Sequence, residues 1–178
     1  MIYFLILAAA VMRFLPHEPN FVPIAALALF GAVYLDKKYA LIMPMAAMFL
    51  ADLFIGFYNP ILMASVYGSF LVIGLIGLWL RNNKNLPNTI GASLTGSVLF
   101  FLATNFTMWA IQPSMPTPMY PPTLSGLADA YIMGLPFFRN TLLGDLFYTG
   151  IMFGLAEIII KYVPRLSGVK ETNGIYLN

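Results

Sequence analysis

Residues 61–80 read ILMASVYGSFLVIGLIGLWL, an apolar run without a charged side chain. Asn59-Pro60 precedes this run and Arg81 follows it, and residues of these types mark the ends of apolar helices. A helix needs about 20 mainly apolar residues to cross the hydrocarbon core of a bilayer. The run therefore predicts a membrane-spanning helix, and it decides the class of fold for the whole chain.

The composition of the chain favours the same class. Hydrophobic residues make up 60% of the 178 residues and charged residues 9%, whereas a soluble globular chain carries about 25% charged residues. The mean hydropathy is +0.82. A soluble core cannot bury so large an apolar fraction, so we expect an all-α integral membrane protein surrounded by the lipid bilayer, without a detachable soluble domain.

Turn-forming residues divide the chain into apolar runs. They predict one domain over residues 1–163, a compact bundle of six transmembrane helices at residues 1–15, 21–35, 39–57, 61–80, 89–111 and 140–163. The first two are shorter than about 20 residues, so they could instead form a helical hairpin that enters and leaves the bilayer. The first run lacks a positively charged start and is interpreted as a retained helix, not a secretory signal.

Lysine and arginine placement predicts the orientation, because basic residues concentrate on the cytoplasmic side. With six spans, Arg13 and Arg139 fall on one side. The basic residues on the other side are Lys37, Lys38, Arg81, Lys84, Lys161, Arg165 and Lys170. Both termini are therefore expected to be cytoplasmic, in a bacterial cytoplasmic (inner) membrane, with residues 164–178 as a cytoplasmic tail.

The segment at residues 112–139 contains six prolines and is predicted to be an extracytoplasmic loop. Its apolar middle has Leu127, Tyr131 and Leu135 at helical spacing. That spacing favours a short interfacial helix or a lid.

Polar residues from four separate segments are predicted to meet at one depth, close to the outer face. Charged side chains inside hydrocarbon are costly, by about 2.5 to 3.5 kcal/mol at a helix centre, so such residues face inward or line water. We therefore expect a cavity open to the outside and roofed by residues 112–139. The candidate binding residues are Arg13, His17, Asn20, Asp52, Tyr58, Asn105, Trp109, Arg139, Asn140 and Asp145.

In this hypothesis the two arginines hold an anionic group and Trp109 stacks on a flat ring, while the amides and aspartates orient the solute. A structural interpretation stays open, in which Asp52 and Asp145 form ion pairs with Arg139 and Arg13 and hold the bundle together. His17, in its Pro-His-Glu-Pro turn, is more typical of an ordinary loop residue than of a proton carrier. Glu157, near the cytoplasmic end of its helix, is expected to pair with Lys161.

Several kinds of chemistry are poorly supported by the sequence. The chain has no cysteine and one histidine, so no metal, haem or other cofactor is expected. It contains no nucleophile-elbow, zinc-protease or phosphate-loop motif, so no enzyme is expected. Asp52 and Asp145 nevertheless keep open a two-aspartate intramembrane hydrolase. Basic residues are few and lie beside apolar runs, which does not predict a nucleic-acid partner.

Four motifs spread over nearly the whole chain carry a likeness to a known family. They are RFLPHEPNF at residues 13–21 leading into the small-residue run 25–31, ADL at 51–53, NFTMW at 105–109, and PFFRNT at 136–141 followed by Asp145. In these the sequence resembles the substrate-binding (S) components of energy-coupling-factor (ECF) transporters, and among them an uncharacterised branch of bacterial membrane proteins.

The resemblance implies a six-helix bundle that binds a vitamin-like or other small solute from the outside. It also implies docking on a membrane coupling protein driven by paired ATPases, and a pocket beneath the loops at residues 13–20, 58–60 and 112–139. One feature departs from the family: Ala8 is followed four residues later by Met12, where a small-residue pair often serves docking. The expected function is solute binding and uptake; the alternatives are a structural or accessory membrane subunit without a ligand and an intramembrane enzyme.

Overall fold

The computed structural model describes residues 2–162, 170–172 and 175–177. The described chain forms six α-helices: α1 Ile2–Val11, α2 Ile24–Tyr34, α3 Ile42–Ile55, α4 Pro60–Asn82, α5 Leu86–Ala110 and α6 Leu124–Tyr162. Short 3₁₀ turns at Met12–Phe14 and Gln112–Ser114 follow α1 and α5. The helical prediction is confirmed for this part of the chain.

The starts of α4 and α5 follow from local sequence. Asn59 caps α4, because its side-chain oxygen accepts hydrogen bonds from the backbone N–H groups of Ile61 and Leu62 at 3.0 and 3.2 Å. Asn85 caps α5 in the same way and accepts from the N–H of Asn88 at 2.8 Å. Each cap is followed by a proline in the first turn of the helix, where its missing N–H costs no hydrogen bond.

Three helices, α4, α5 and α6, are long and apolar enough to cross a membrane. They contain 23, 25 and 39 residues, whereas α2 and α3 contain 11 and 14, fewer than the roughly 20 that a crossing needs. Large apolar side chains lie on the outside of the bundle; Phe54 is 81% exposed and Leu86 is 73% exposed. Such exposure is expected of helices that face lipid.

The short helix α2 forms the centre of the bundle. Every residue from Ala25 to Tyr34 is buried, and α2 packs most extensively on α4 and then on α6. The close approach of α2 and α4 depends on Gly77, where an added Cβ would lie 2.6 Å from the Cβ of Ala32. On the α6 side, the rings of Phe30 and Phe153 meet edge to face at 5.6 Å.

The two ends of the bundle differ in chemistry. At the basic end, defined by Lys37, Lys38, Arg81, Lys84 and Lys161, the guanidinium of Arg81 donates to the carbonyls of Ala32 and Leu35. These carbonyls lie at the end of α2 and have no partner within the helix, so Arg81 closes that end. The opposite, proline-rich end carries the connections at residues 15–23, 56–59 and 111–123.

The helical spacing predicted that Glu157 pairs with Lys161, and this prediction is wrong. Its Oε1 accepts from Lys84 Nζ at 2.5 Å and from the hydroxyl of Tyr34 at 2.5 Å, so it joins α6 to α2 and to the α4–α5 turn. Lys161 instead lies over the ring of Tyr162. Glu157 thus binds two residues from other segments of the chain in place of the lysine four residues along its own helix.

Residues 112–139 were predicted to be a loop with a short helix or a lid in its apolar middle, and that middle is helical. The predicted break between this helix and the span from residue 140 is wrong. From Leu124 onward these residues belong to α6, which continues through Pro136 to Tyr162. Tertiary contacts with α5 explain why a proline does not end the helix: Tyr131 donates to the carbonyl of Leu102 at 3.0 Å, and Gly134 lies against Asn105. The 39 residues of α6 make a helix of roughly 58 Å.

The predicted tail at residues 164–178 is described only in part. Two short strands, β1 Lys170–Thr172 and β2 Ile175–Leu177, pair antiparallel. The rest of that segment lies outside the described residues.

Candidate functional site

A cavity of about 400 Å³ lies at the proline-rich end of the bundle. Its inner wall is apolar and is built by residues of α2, α3, α4 and α5 together with Val22. The apolar lining residues are Val22, Ile24, Ala25, Met48, Ile55, Val66, Phe70 and Phe100. The rings of Phe70 and Phe100 stack with their centroids 5.2 Å apart, so α4 and α5 together present an aromatic surface.

Five polar residues complete the lining: His17, Asn20, Tyr58, Thr141 and Asp145. His17, Asn20 and Tyr58 come from the connections at the proline-rich end and are exposed, so they form the rim. Thr141 and Asp145 are buried and come from one face of α6, four residues apart. The cavity thus has a polar rim, an apolar body and a buried acid group on one wall.

Asp145 is 3% exposed, and its Oδ2 accepts a hydrogen bond from Ser97 Oγ on α5 at 2.6 Å. The hydroxyl of Thr141 donates to the carbonyl of Phe137 in its own helix. Thr141 is therefore already partnered, whereas an ionised carboxylate can accept about four hydrogen bonds. Of the two buried polar lining residues, Asp145 therefore has the larger capacity to accept hydrogen bonds from a ligand.

The connection at residues 15–23 is held in place by a hydrogen bond from α6 and by contacts within the connection. The side-chain amide of Asn140 donates to the carbonyl of Pro19 at 3.0 Å. His17 Nδ1 lies 2.6 Å from the carbonyl of Leu15, and Asn20 has a positive φ of 64°, which asparagine tolerates better than most residues. Asn140 therefore positions the rim and does not itself line the cavity.

Asp52 is buried at 1% exposure and accepts from the hydroxyl of Tyr67 at 2.6 Å. It lies on α3 between Met48 and Ile55, which line the cavity, but it is not itself part of the lining. Asp52 and Asp145 bond to different hydroxyl groups, on α4 and α5 respectively. The side chain of Arg13, which lies in the 3₁₀ turn after α1, is outside the described part of the structure.

Besides Asp52 and Asn140, three more of the predicted binding residues do not line the cavity. Asn105 donates to the carbonyl of Phe101 and packs against Gly134, Trp109 Nε1 donates to the carbonyl of Pro121 at 3.1 Å, and Arg139 is exposed. They were predicted from their expected depth in the bilayer, but depth gives only one coordinate. Asn105 and Trp109 lie on the face of α5 that packs against the start of α6 and the loop before it.

The predicted roof is also wrong, since none of the described residues 111–139 lines the cavity. The segment between α5 and α6 folds onto itself around Gln112, which is 1% exposed. Gln112 Oε1 accepts from the backbone N–H of Met119 at 2.5 Å, and Nε2 donates to the carbonyl of Met108 at 3.0 Å. The residues over the cavity are those of the 15–23 connection and Tyr58.

Ser97 and the whole apolar wall were not predicted from the sequence. A signal for Ser97 existed, because Ser93 and Ser97 are four residues apart and share a helix face. Both are buried, and Thr149 Oγ1 lies 3.4 Å from Ser93 Oγ. A row of polar groups therefore runs along the α5–α6 interface, from Asp145 to Thr149. Thr149 lines a second hollow of about 570 Å³ beside Lys84 and Glu157.

Together these features define an all-helical bundle that has three helices able to cross a membrane and a buried acid group facing an inner cavity. Residues 1–166 match the family described as "Family of unknown function (DUF6580)", and the chain belongs to that family. No curated protein and no solved structure matches the chain.

Proposed function

We propose that the protein binds a small solute in the cavity and takes part in its uptake, in the manner of an S component of an ECF-type transporter. The cavity itself is the observation that carries the proposal. Its volume of about 400 Å³ falls within the range of about 300 to 1,000 Å³ typical of small-molecule sites. Its mainly apolar wall with a few polar groups is also typical of such sites.

The proposal places all six helices in a bacterial inner membrane with both termini in the cytoplasm. Positive residues concentrate on the cytoplasmic side of membrane proteins, and the basic end carries Lys37, Lys38, Arg81, Lys84 and Lys161. With this orientation, the rim formed by His17, Asn20 and Tyr58 faces the outside. A solute would enter there, and a coupling protein with paired ATPases would supply the energy, as the resemblance implies.

The competing proposal is an accessory membrane subunit that binds no solute. Asn105 and Asn140 favour it to a degree, since both make contacts that hold helices and loops together. These contacts leave the cavity unexplained. The hydrogen bond between Ser97 and Asp145 would also serve such a structural role, but a neutral side chain could join the two helices without the cost of burying an acid group in the membrane.

The test uses the purified full chain in detergent or nanodiscs. Small molecules that copurify are extracted and identified by mass spectrometry, and vitamins and their precursors are screened by thermal shift. Ala25 lines the cavity, so Ala25→Phe should fill it and abolish any stabilisation by a solute. Ala46→Phe adds the same ring at an exposed position of α3 and serves as the matched control.

Stabilisation that survives in Ala46→Phe and disappears in a folded, monodisperse Ala25→Phe supports the proposal. Val66→Phe fills the same cavity from α4 and replaces Ala25→Phe if that variant does not fold. Stabilisation that is unchanged in a folded cavity-filling variant contradicts the proposal, as does the absence of any copurified or stabilising solute.

A further inference from the structure

We infer that the solute carries a cationic nitrogen on a flat apolar body, and that Asp145 receives this nitrogen inside the cavity. The inference rests on the proposed function and narrows it to a class of ligand. It reverses the expectation from sequence that arginines hold an anionic group.

The position of Asp145 is the first observation. Its side chain is nearly fully buried, at 3% exposed, yet it belongs to the cavity wall. Ser97 donates to Oδ2, and this is the one hydrogen bond of the Asp145 side chain among the described residues. No fully buried side-chain oxygen in that part of the chain lacks a partner, so Oδ1 is open to the cavity. The carboxylate is therefore held in place by one of its oxygens and offers the other to an occupant of the cavity.

The charge around Asp145 is the second observation. Among the described residues that line the cavity there is no lysine or arginine, and His17 lies at the exposed rim. Arg139, which was expected to supply positive charge here, is exposed and outside the lining. A buried carboxylate without a positive partner is costly, and a cationic N–H donor from a ligand compensates that cost with a charge-assisted hydrogen bond.

The rest of the wall suits the body of such a ligand. Phe70 and Phe100 stack on one another at 5.2 Å, and Met48 and Val66 also line the wall. Aromatic and thioether side chains make favourable contacts with flat rings. An anionic solute of the same shape would instead bring its negative charge into the low-dielectric space beside Asp145, where like charges repel strongly.

A purely structural role for Asp145 gives a different expectation. If the group served only to join α6 to Ser97 on α5, an amide would do the same, since it has nearly the same volume and can still hydrogen bond with Ser97. Asp145→Asn therefore removes the charge and little else, whereas Ser97→Ala removes the interhelical hydrogen bond and keeps the charge.

The experiment compares two probes of matched shape, tryptamine and indole-3-propionate, by thermal shift and by titration calorimetry on the full chain. We expect tryptamine to bind at least tenfold more tightly than indole-3-propionate to the natural sequence. We expect Asp145→Asn to abolish this preference and Ser97→Ala to retain it. The comparison on the natural sequence stands even if one of the variants fails to fold.

Equal or tighter binding of indole-3-propionate overturns the inference, and so does a preference that persists in folded Asp145→Asn. The same is true if neither probe binds at millimolar concentration. The outcome for the proposed function is separate: a neutral or anionic solute whose binding is lost in Ala25→Phe upholds solute binding while contradicting this ligand class. If the screen of solutes also finds nothing, both proposals fail together.

Discussion

Ser97 on α5 donates its hydroxyl proton to the buried carboxylate of Asp145 on α6, with 2.6 Å between Oγ and Oδ2. The two residues belong to the helix pair with the most extensive packing in the described bundle. Their hydrogen bond thus fixes one wall of the cavity and helps to align two helices that are long enough to cross a membrane.

Ser97→Ala is expected to lower the free energy of unfolding by about 1 kcal/mol, because a buried acceptor loses its donor. The measurement is reversible unfolding of the protein in mixed micelles. Thr95→Ala is the control, since Thr95 lies on the exposed side of the same helix. Equal effects of the two substitutions would contradict the importance assigned to the interhelical bond.

Gly134→Ala is expected to destabilise the protein by about 1 to 3 kcal/mol. An added Cβ would overlap Oδ1 of Asn105 and lie 3.0 Å from Cε2 of Phe101, so these two side chains of α5 would have to shift. Gly150→Ala provides the comparison on the same helix, because nothing lies within 4 Å of its added Cβ. That variant should be neutral or slightly more stable, since alanine favours helix more than glycine does. Thermal unfolding in detergent distinguishes the pair, and a Gly134→Ala protein as stable as Gly150→Ala would show that this contact is not tight.

Gln112→Ala is expected to loosen the loop between α5 and α6 without affecting solute binding. The substitution leaves the backbone N–H of Met119 without its acceptor and frees the carbonyl of Met108. Faster hydrogen exchange and easier proteolysis at residues 113–122 are the predicted results, with exposed Thr117→Ala as the control. A large loss of solute affinity in Gln112→Ala would mean that the loop covers the cavity after all.

Tyr34→Phe is expected to lower the free energy of unfolding by about 0.5 to 1.5 kcal/mol. Tyr34 is 5% exposed and donates to Glu157, whereas the side chain of Lys84, the other partner of Glu157, is 33% exposed. Lys84→Met should therefore cost less, because exposed ion pairs contribute little. A double-mutant cycle between Tyr34→Phe and Glu157→Met measures the coupling, because methionine removes the acceptor oxygen, and a coupling near zero would refute the assigned bond.

Local sequence signals predicted the helices well where a cap and a long apolar run coincide. The Asn59-Pro60 pair marks the start of α4 in both the prediction and the structure. The same kind of signal failed at Pro136, because the effect of a proline inside a helix depends on what packs beside it. Contacts made by Tyr131 and Gly134 with α5 are invisible in the local sequence.

The residues of the candidate site were also predicted only in part. His17, Asn20, Tyr58 and Asp145 were predicted from depth in the bilayer and do line one cavity. Asn105 and Trp109 have the same expected depth but face the start of α6. The prediction failed for them because hydropathy indicates depth in the bilayer but not the direction in which a side chain leaves the helix. The apolar wall could not be identified, because Phe70 and Phe100 look like every other lipid-facing or core aromatic in the chain.

The unbroken helix α6 carries both Asp145 and Glu157, and Pro136 lies before this stretch. Asp145 contacts the cavity at the proline-rich end, and Glu157 contacts Lys84 at the basic end. The twelve residues from Asp145 to Glu157 rise about 18 Å along the helix axis, so a tilt of about 5° centred on Asp145 would move Glu157 sideways by about 1.5 Å. A solute that tilts this stretch of α6 would therefore also shift the ion pair at the far end of the bundle.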